Sequence, residues 1–378
     1  MKRETKIVHG QKGYDKETGA ISYPIYMSST FRHPGFSRST GYDYSRMQNP
    51  TREELECTLA ALECGERCFA YSSGMAAITS VFYLFPGGSH ILLSEDLYGG
   101  TPRLAAEFFA AHNIEFEFID TSNLELVKSS IKENTKALFI ETPSNPMMIV
   151  SDIQALADII HAADGLFIVD NTFLTPMLQR PLTLGADISL HSGTKYLCGH
   201  NDIIAGFVIA KGEKIIEKLG LHYKSTGAIL SPFDSWLMIR SIKTLSVRIQ
   251  RQQENAGKIV DHLLTLANVT DVYYVGLADH AGYEITKKQT EGFGAMISFK
   301  VKTPEIAKEV LGKVKLIYFA ESLGGVETLM TYPIAQTHAE VPKWLTSRVG
   351  IDERLLRLSV GIEDVADLIA DLNQAFIS

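Results

Sequence analysis

Residues 187–201, which read DISLHSGTKYLCGHN, contain the segment that decides the fold and points to a chemistry. The run Ile188–His191 predicts a buried strand, and the small residues SGT then lead directly into Lys195. A lysine bounded by small and hydroxyl residues at a strand end is an unusual place for a solvated charge. Nearby cations would neutralise its amine, which can then form a Schiff base, while the hydroxyls of Ser192 and Thr194 can bind phosphate. Taken alone, a surface lysine is the competing interpretation.

Six further short apolar runs alternate with helical stretches on either side of this segment. The predicted strands are Arg67–Tyr71, His90–Ser94, Glu115–Ile119, Ala137–Glu141, Phe167–Asp170 and Phe207–Ala210. Runs that are apolar throughout, with helices between them, are typical of a mostly parallel sheet covered on both faces. The sequence therefore predicts an α/β fold.

The chain has 378 residues, which is enough for two packed units. Residues 1–50 are irregular but too aromatic for a disordered tail, so we expect an arm that packs on another surface, for which a neighbouring subunit is a candidate. Residues 51–240 are predicted to form the α/β domain, beginning with a helix capped at Thr51. Residues 241–378 are predicted to form a smaller α+β domain, and a long helical stretch over roughly Phe233–Leu266 is expected at the junction.

Composition excludes some classes of function. The 44 acidic residues outnumber the 36 basic ones and give a net charge of -8, so the chain lacks the excess cations of a nucleic-acid-binding protein. No apolar stretch is long enough to span a membrane, and the start MKRETKIVHG does not resemble a signal peptide. The four cysteines form no CxxC pair, which predicts packing rather than metal ligation or disulfides and a reducing, cytoplasmic compartment.

Two other segments place residues with possible chemical roles at the ends of predicted strands. Residues 70–77, AYSSGMAA, run from a strand through a small-residue turn into a helix, whose N-terminus suits a phosphate, although a merely tight turn explains them equally well. Asp170 places a carboxylate at a strand end, where a protonated pyridine nitrogen or a helix-capping role would account for it. Asp170 and Lys195 are 25 residues apart on consecutive strands. That spacing suits one crossover helix and lets both side chains converge on a single planar ring.

Motifs that match one enzyme family extend along nearly the whole chain. Beside Asp187–Asn201 they are Tyr44–Thr51, Ser73–Met75, Leu97–Gly100, Glu141–Pro146, Val169–Thr172, Glu321–Gly325 and Arg357–Glu363. Together they resemble the Cys/Met-metabolism pyridoxal-phosphate enzymes, the trans-sulfuration family of cystathionine synthases and lyases. The resemblance implies the fold-type I architecture, with residues 51–240 binding pyridoxal 5'-phosphate, and a homotetramer built from two catalytic dimers.

The resemblance also implies how the cofactor is held. Lys195 would carry it and shuttle protons, Asp170 would keep its pyridine nitrogen protonated, and Tyr98 would stack on the ring. The phosphate would be bound by Gly74, Met75, Ser192 and Thr194 and, from the neighbouring subunit, by Tyr44 and Arg46.

Substrate contacts follow from the same resemblance. The α-carboxylate would bind to Arg357, helped by Ser322 and Asn145. Glu321 stands where family members that act at Cγ have a glutamate, and Arg103 and Asp43 look like distal substrate contacts. The similarity is greatest to bacterial cystathionine γ-synthases with O-acetylhomoserine sulfhydrylase activity. It implies γ-replacement on an O-acyl-homoserine with cysteine or sulfide, which forms cystathionine or homocysteine. Cystathionine γ- or β-lyase activity is the alternative, because the same chemistry serves both.

Two other classes are weighed against this interpretation. A nicotinamide dehydrogenase would need a GxGxxG turn between a strand and a helix, and the nearest candidate, Gly292–Gly294, opens no helix. A non-catalytic protein on the same fold would not need Lys195, Asp170 and Arg357 together.

Overall fold

The computed structural model describes residues 1–377 and contains two sheets. The larger sheet has seven strands. Its strands are β1 (Arg67–Tyr71), β2 (His90–Ser94), β3 (Glu115–Ile119), β4 (Thr135–Glu141), β5 (Leu166–Asp170), β6 (Ile188–Ser192) and β7 (Gly206–Ala210). They lie in the order β1-β7-β6-β5-β4-β2-β3. β7 is antiparallel to both of its neighbours, and all the other pairs are parallel. All seven predicted strands are present, so the mostly parallel α/β prediction is confirmed.

Six strands of this sheet are buried along almost their whole length on both faces, and the edge strand β3 is only half-buried, with Glu115 exposed. Along β4, Leu138 and Ile140 belong to one buried cluster, whereas Ala137 and Phe139 belong to the cluster on the opposite face. Burying a large apolar side chain contributes roughly 1.5–3 kcal/mol, so a continuous apolar strand is stable only where both faces are covered. This burial is why the inner strands lack an alternation of polar and apolar residues, which only the half-buried strand β3 shows among the seven.

Helices cover the two faces of the sheet. In chain order they are α1 (Arg3–His9), α2 (Pro50–Glu63), α3 (Gly74–Phe82), α4 (Gly100–Leu104), α5 (Leu124–Ser130), α6 (Ile153–His161), α7 (Thr175–Leu178) and α8 (Glu213–Thr226). α3 buries Ile78 and Val81 in the cluster on one face, and α6 buries Leu156 and Ile160 in the cluster on the other. The first turn of α3 lies against the end of β6, where an added Cβ at Gly74 would be 3.1 Å from the Cβ of Ser192.

A second, smaller sheet follows in the C-terminal part. Its strands are β8 (Val269–Tyr273), β9 (Met296–Val301), β10 (Tyr318–Phe319), β11 (Leu329–Thr331) and β12 (Leu355–Ser359), in the order β10-β11-β12-β9-β8. The accompanying helices are α9 (Pro232–Ile242), α10 (Leu245–Leu263), α11 (Tyr283–Gln289), α12 (Pro304–Lys313), α13 (Lys343–Val349) and α14 (Val365–Phe376). Only β10 and β11 pair in parallel. The separate sheet completes the predicted fold class.

The helical stretch predicted over residues 233–266 is present, and it consists of two separate helices, α9 and α10. The Arg248 guanidinium, which is buried, donates a hydrogen bond to the carbonyl of Ser241 at 3.1 Å, and the hydroxyl of Thr244 donates to the same carbonyl at 3.1 Å. A helix leaves its last carbonyls without intrahelical partners. These two donors satisfy one of them, so the chain can turn between the helices without leaving that acceptor unpaired.

The connection between β5 and β6 also differs from the expectation. The two strands are adjacent and parallel, as predicted, with Asp170 opposite Leu190. Instead of one full crossover helix, the connection contains only the four residues of α7 and a 3-10 turn over Pro181–Thr183. The short connection still brings both strand ends to one edge of the sheet.

The N-terminal 50 residues contain one helix that the sequence pattern did not predict. In α1, Ile7 is buried, and the Arg3 guanidinium donates to the carbonyls of Pro176 and Met177 at 3.0 and 2.7 Å. These contacts attach the beginning of the arm to the connection between β5 and β6.

The cysteines are scattered rather than clustered. Cys57 lies on α2 and Cys64 at its end, and Cys68 lies on β1. All four thiols are free, and Cys68 and Cys198 are buried. Across residues 1–377, none of the helices has both the length and the apolar composition that crossing a bilayer requires.

Candidate active site

A cavity of about 280 Å³ lies at the carboxyl ends of β4, β5 and β6, on the face of the sheet that α3 covers. Its polar lining includes Ser73, Tyr98, Glu141, Asn145, Asp170, Thr172, Ser192, Thr194 and Lys195. Gly74 and Met75, at the start of α3, also line it. Ligands of open parallel sheets bind at this edge, because the strand ends leave a crevice there.

Asp170 ends β5 and points into this cavity. Its carboxylate accepts hydrogen bonds from the Thr172 amide at 3.0 Å and the Thr172 hydroxyl at 2.5 Å. The same hydroxyl oxygen accepts a bond from the Ser192 amide at 2.9 Å, which ties the ends of β5 and β6 together. Burial raises the pKa of Asp170, while the bonds from Thr172 oppose that rise. A cation placed beside this carboxylate would favour its charged form.

Glu141 is a second buried carboxylate in the cavity, to which the sequence reasoning gave no role. It ends β4 directly opposite Asp170 in the strand register and accepts a hydrogen bond from the Tyr98 amide at 2.8 Å. Burial, and then the charge of Asp170, raise the pKa of Glu141 well above its usual range. Its position at the end of an apolar strand was the signal, since the same position singled out Asp170.

Lys195 approaches the cavity from the turn that follows β6. Its amine donates a hydrogen bond to the Ser322 hydroxyl at 2.9 Å. Burial is the main cause that lowers the pKa of Lys195 to about 8, and the positive charge of Arg357 adds to the effect. The amine therefore loses its proton far more readily than a solvated lysine, and a neutral amine is the form that attacks a carbonyl.

Arg357 lies on β12, and its side chain is buried. Its guanidinium donates to the Asn145 side-chain oxygen at 2.7 Å, to the Ser322 carbonyl at 3.0 Å and to the Thr331 hydroxyl at 3.1 Å. Burial lowers the pKa of Arg357 to about 10. Its Nε has no hydrogen-bond partner within residues 1–377. A buried guanidinium with an unpaired N–H group suits an anionic ligand.

The first turn of α3 forms a small cradle beside Lys195. Ser73 caps the helix by accepting from the Ala76 amide at 3.1 Å. At Gly74, an added Cβ would lie 3.1 Å from the Cβ of Ser192. A side chain there would therefore crowd the contact between the start of α3 and the end of β6. Helix N-termini attract phosphate because their first N–H groups are free. The amine, the carboxylate and this cradle line one cavity, so these residues fit pyridoxal phosphate.

A second cavity, of about 260 Å³, adjoins the first at Tyr98, whose ring lines both. Arg103, Glu321 and Glu340 contribute its charged groups, and the guanidinium of Arg103 donates to the carboxylate of Glu340. The predicted distal contact Arg103 and the predicted substrate-binding residue Glu321 therefore lie together next to the cavity that contains Lys195.

Five predicted site residues line neither cavity within one chain. Ser322 and Arg357 nevertheless hydrogen-bond to Lys195 and Asn145, which do line the first cavity, whereas Tyr44, Arg46 and Asp43 lie in the N-terminal arm. The Arg46 guanidinium donates to the Lys224 carbonyl and lies over the Tyr44 ring, 5.7 Å from its centroid. Asp43 accepts a hydrogen bond from the Ser39 hydroxyl at 2.9 Å. The arm also leaves Phe36 fully exposed, at 100%. Contact of these residues with a neighbouring subunit stays a prediction.

Comparison with known proteins places this site in a family. The model of the Cys/Met metabolism PLP-dependent enzymes matches residues 4–377. The chain is 48% identical over 375 residues to a cystathionine γ-lyase of Bacillus subtilis, covering 99% of each chain. It is 47% identical to a cystathionine β-lyase of Lactococcus lactis, covering 98% of each. A cystathionine γ-synthase/O-acetylhomoserine (thiol)-lyase of Bacillus subtilis is 45% identical, over 98% of this chain and 95% of that protein.

Solved structures agree with these relatives. A cystathionine γ-lyase from Lactobacillus plantarum complexed with L-serine superposes with a TM-score of 0.97 at 44% identity, covering 100% of this chain and 98% of that one. A cystathionine γ-synthase from Xanthomonas oryzae in complex with aminoacrylate and cysteine gives 0.96 at 36% identity, with the same coverage. Synthases and lyases thus share this fold and sequence to similar extents.

Proposed function

The chain belongs to the Cys/Met metabolism PLP-dependent enzymes, and from that premise we propose that it exchanges the γ-substituent of an O-acyl-homoserine for cysteine or sulfide. The Cγ–O bond of the ester breaks, the carboxylic acid leaves as its anion, and the thiol sulfur forms a bond to Cγ and releases its proton. Cysteine gives cystathionine, and sulfide gives homocysteine. The proposed assembly is a homotetramer of two catalytic dimers, and a cytoplasmic location stays a prediction.

The observation that carries the proposal is the pair of cavities that adjoin at Tyr98. The first contains Lys195 and Asp170, and the second contains Arg103 and Glu321. An amino acid whose α-carbon lies near Lys195 would extend its side chain past Tyr98 into the second cavity. Substrates with a sizeable group beyond Cβ or Cγ therefore suit the two cavities better than short amino acids do.

The cofactor and the protein divide the chemistry between them. When bound, pyridoxal phosphate supplies an electron sink that stabilises negative charge at the substrate's Cα. We assign to Lys195 the removal of the Cα proton and its return, because its amine is buried and its pKa is lowered to about 8. Asp170 would hold a protonated ring nitrogen by its charge, and Arg357 would bind the substrate carboxylate and so orient Cα toward the amine.

C–S bond cleavage is the second candidate, favoured by the lyases at 48% and 47% identity. In this reaction no thiol is consumed, and water is the second reactant in the overall equation. Cystathionine and water give cysteine, 2-oxobutanoate and ammonium when the Cγ–S bond breaks. They give homocysteine, pyruvate and ammonium when the Cβ–S bond breaks. The same residues serve both candidates, so the incoming group decides between them.

A side-by-side assay of the purified, cofactor-loaded protein tests the proposal. O-acetyl-homoserine, O-succinyl-homoserine and cystathionine are each supplied with and without cysteine or sulfide, and thioether, thiol and oxo acid are measured. Replacement predicts thioether or homocysteine from an ester only with added thiol. If cystathionine is cleaved and neither ester reacts with a thiol, the lyase candidate is correct instead.

The assignment of the amine has its own control. Lys195→Ala is expected to abolish the covalent adduct with the cofactor that borohydride reduces, whereas Lys211→Ala, which alters a half-buried lysine elsewhere on the sheet, retains it. An adduct that persists in Lys195→Ala would disprove the role of this lysine.

A further inference from the structure

The charged groups of the second cavity are already partly paired with each other. Among residues 1–377, Arg103 is the single cation that lines it, and Glu321 and Glu340 are its two carboxylates. The guanidinium of Arg103 donates to the carboxylate of Glu340, and these side chains are 43% and 67% exposed. The cavity thus presents a net negative charge, with its cation engaged by the protein's own carboxylate.

The segment that carries Glu340 is held firmly over the turn that carries Tyr98. An added Cβ at Gly99 would lie 2.2 Å from the carbonyl oxygen of Thr337 and 3.0 Å from the side chain of Val341. The absence of a side chain at Gly99 therefore lets residues 337–341 pack directly on this turn. His338 in the same segment is buried and hydrogen-bonds to the carbonyl of Asn145 at 3.2 Å. This packing places the backbone that carries Glu340 next to the turn that leads into α4, on which Arg103 lies.

The possible substrates differ in what they bring to this cavity. The acetyl group of O-acetyl-homoserine has no charge and leaves the pair of Arg103 and Glu340 undisturbed. The succinyl ester ends in a lone carboxylate, which must displace Glu340 from Arg103 and then lie among like charges. The distal half of cystathionine carries both a carboxylate and an ammonium group, so a displaced Glu340 would regain a cationic partner.

We propose that Glu340 is a specificity-determining residue, which occupies Arg103 as an internal carboxylate and disfavours substrates whose distal end is a lone carboxylate. This inference rests on the proposed function and sharpens it. The wild-type enzyme is then expected to bind O-acetyl-homoserine and cystathionine more tightly than O-succinyl-homoserine. The discrimination is electrostatic and solvent-exposed, so added salt weakens it.

The test compares the two esters in wild-type protein and in Glu340→Gln, using the cofactor-loaded enzyme. The dissociation constant of each ester is measured from the change in cofactor absorbance, and KM and kcat are measured where turnover occurs. Exposed ion pairs contribute up to about 1 kcal/mol, so we expect the preference for acetyl over succinyl to fall by about 3- to 5-fold. The change is expected in the dissociation constant and KM rather than in kcat.

Two further variants make the test specific. Glu309→Gln removes a carboxylate from another exposed ion pair, with Lys313, and is expected to leave the ester preference unchanged. In an Arg103→Gln background, Glu340→Gln is expected to have no further effect, because the contested cation is gone. If Glu340→Gln behaves like Glu309→Gln, or acts equally without Arg103, the inference is wrong. If neither ester perturbs the absorbance or is turned over by the wild-type enzyme, the proposed function itself fails.

Discussion

Glu141 and Asp170 occupy directly opposed positions on the adjacent parallel strands β4 and β5, and both carboxylates face the same cavity. Two buried carboxylates so close together do not both ionise at low cost, because each charge disfavours the other. Asp170 receives two hydrogen bonds from Thr172, which favour its charged form. The pKa of Glu141 is raised by burial and by the charge of Asp170. We infer that Asp170 carries the charge and Glu141 carries the proton.

This division of charge predicts opposite behaviour for two matched amide substitutions. Glu141→Gln keeps the size of the neutral acid and its bond to the Tyr98 amide, so turnover is expected to fall by less than about threefold. Asp170→Asn removes the charge beside the cofactor ring nitrogen, and a charge-assisted bond of 1.5–3 kcal/mol corresponds to a loss of about 10- to 100-fold. Steady-state turnover and cofactor absorbance are compared for both variants. Equal losses in the two would contradict the assignment.

The lowered pKa of Lys195 predicts how the cofactor-free protein reacts with an aldehyde as pH changes. The amine attacks only when neutral, so the rate of borohydride-trapped adduct formation is expected to rise with pH, with a midpoint near pH 8. Arg357→Met removes a nearby positive charge, and the midpoint is expected to move to higher pH. Arg354→Met, an exposed arginine on the approach to β12, serves as the control. An unchanged midpoint in Arg357→Met would show that Arg357 does not act on this amine.

The same pKa shift predicts how the free energy of unfolding of the cofactor-free protein changes with pH. The folded state releases the proton of Lys195 near pH 8, whereas the unfolded chain keeps it up to about 10.5. Because the unfolded state binds more protons in this window, this lysine makes the free energy of unfolding rise with pH between about 8 and 10.5. Lys195→Met is expected to remove that contribution, which chemical denaturation at a series of pH values measures. If the pH dependence in this window is identical with and without Lys195, the amine is not perturbed in the folded state.

Binding of the substrate carboxylate by Arg357 is expected to depend on the planar pair of guanidinium donors and not on the positive charge alone. Three acceptors, from Asn145, Ser322 and Thr331, fix the guanidinium plane. Arg357→Lys keeps the charge but loses the planar donors, so KM for the amino acid substrate is expected to rise by about 10-fold or more. Arg354→Lys is the matched control on an exposed residue. A thermal melt separates this effect from loss of folding, and an unchanged KM in a folded Arg357→Lys would rule out its role in binding the carboxylate.

Most strands of the larger sheet were predictable because they are short, largely apolar runs, and β4, β5 and β6 each end in a polar residue. The same pattern located Asp170 and Lys195, since strand ends meet at one edge of a parallel sheet. The strand β3, with the sequence EFEFI, shows the alternation of a half-buried strand instead. Local patterns did not predict the division between α9 and α10. There the helical periodicity continues, and the break depends on Arg248, which reaches the Ser241 carbonyl from the next helix.

Long-range packing accounts for the rest of what the sequence did not reveal. At Gly324 φ is +78°, and an added Cβ would lie 2.5 Å from the Tyr196 amide, so the 321–325 segment lies against the backbone that follows Lys195. That approach presents Ser322 to the amine, with φ of +92° at Ser322 itself. Residues about 127 positions apart in the chain carry no periodicity that links them. Only the family resemblance connected these two segments before the structure did.

Arg46 gives the clearest test of whether an active site is shared between subunits. Within one chain its guanidinium donates to the Lys224 carbonyl and lines neither cavity. If it serves the phosphate of a neighbouring subunit, Arg46→Ala weakens cofactor binding even though Lys195 is intact. Arg46→Ala and Lys195→Ala are then expected to complement each other when the two chains are co-expressed. A mixed dimer has one site with both residues intact and one site that lacks both, so random pairing restores about a quarter of the sites. If both residues serve the same chain's site, no mixed dimer contains an intact site. Activity of the mixture that only equals the sum of the two separate variants would therefore exclude a shared site, whereas turnover near a quarter of the wild-type value requires the arm of one subunit to complete the cavity of the other.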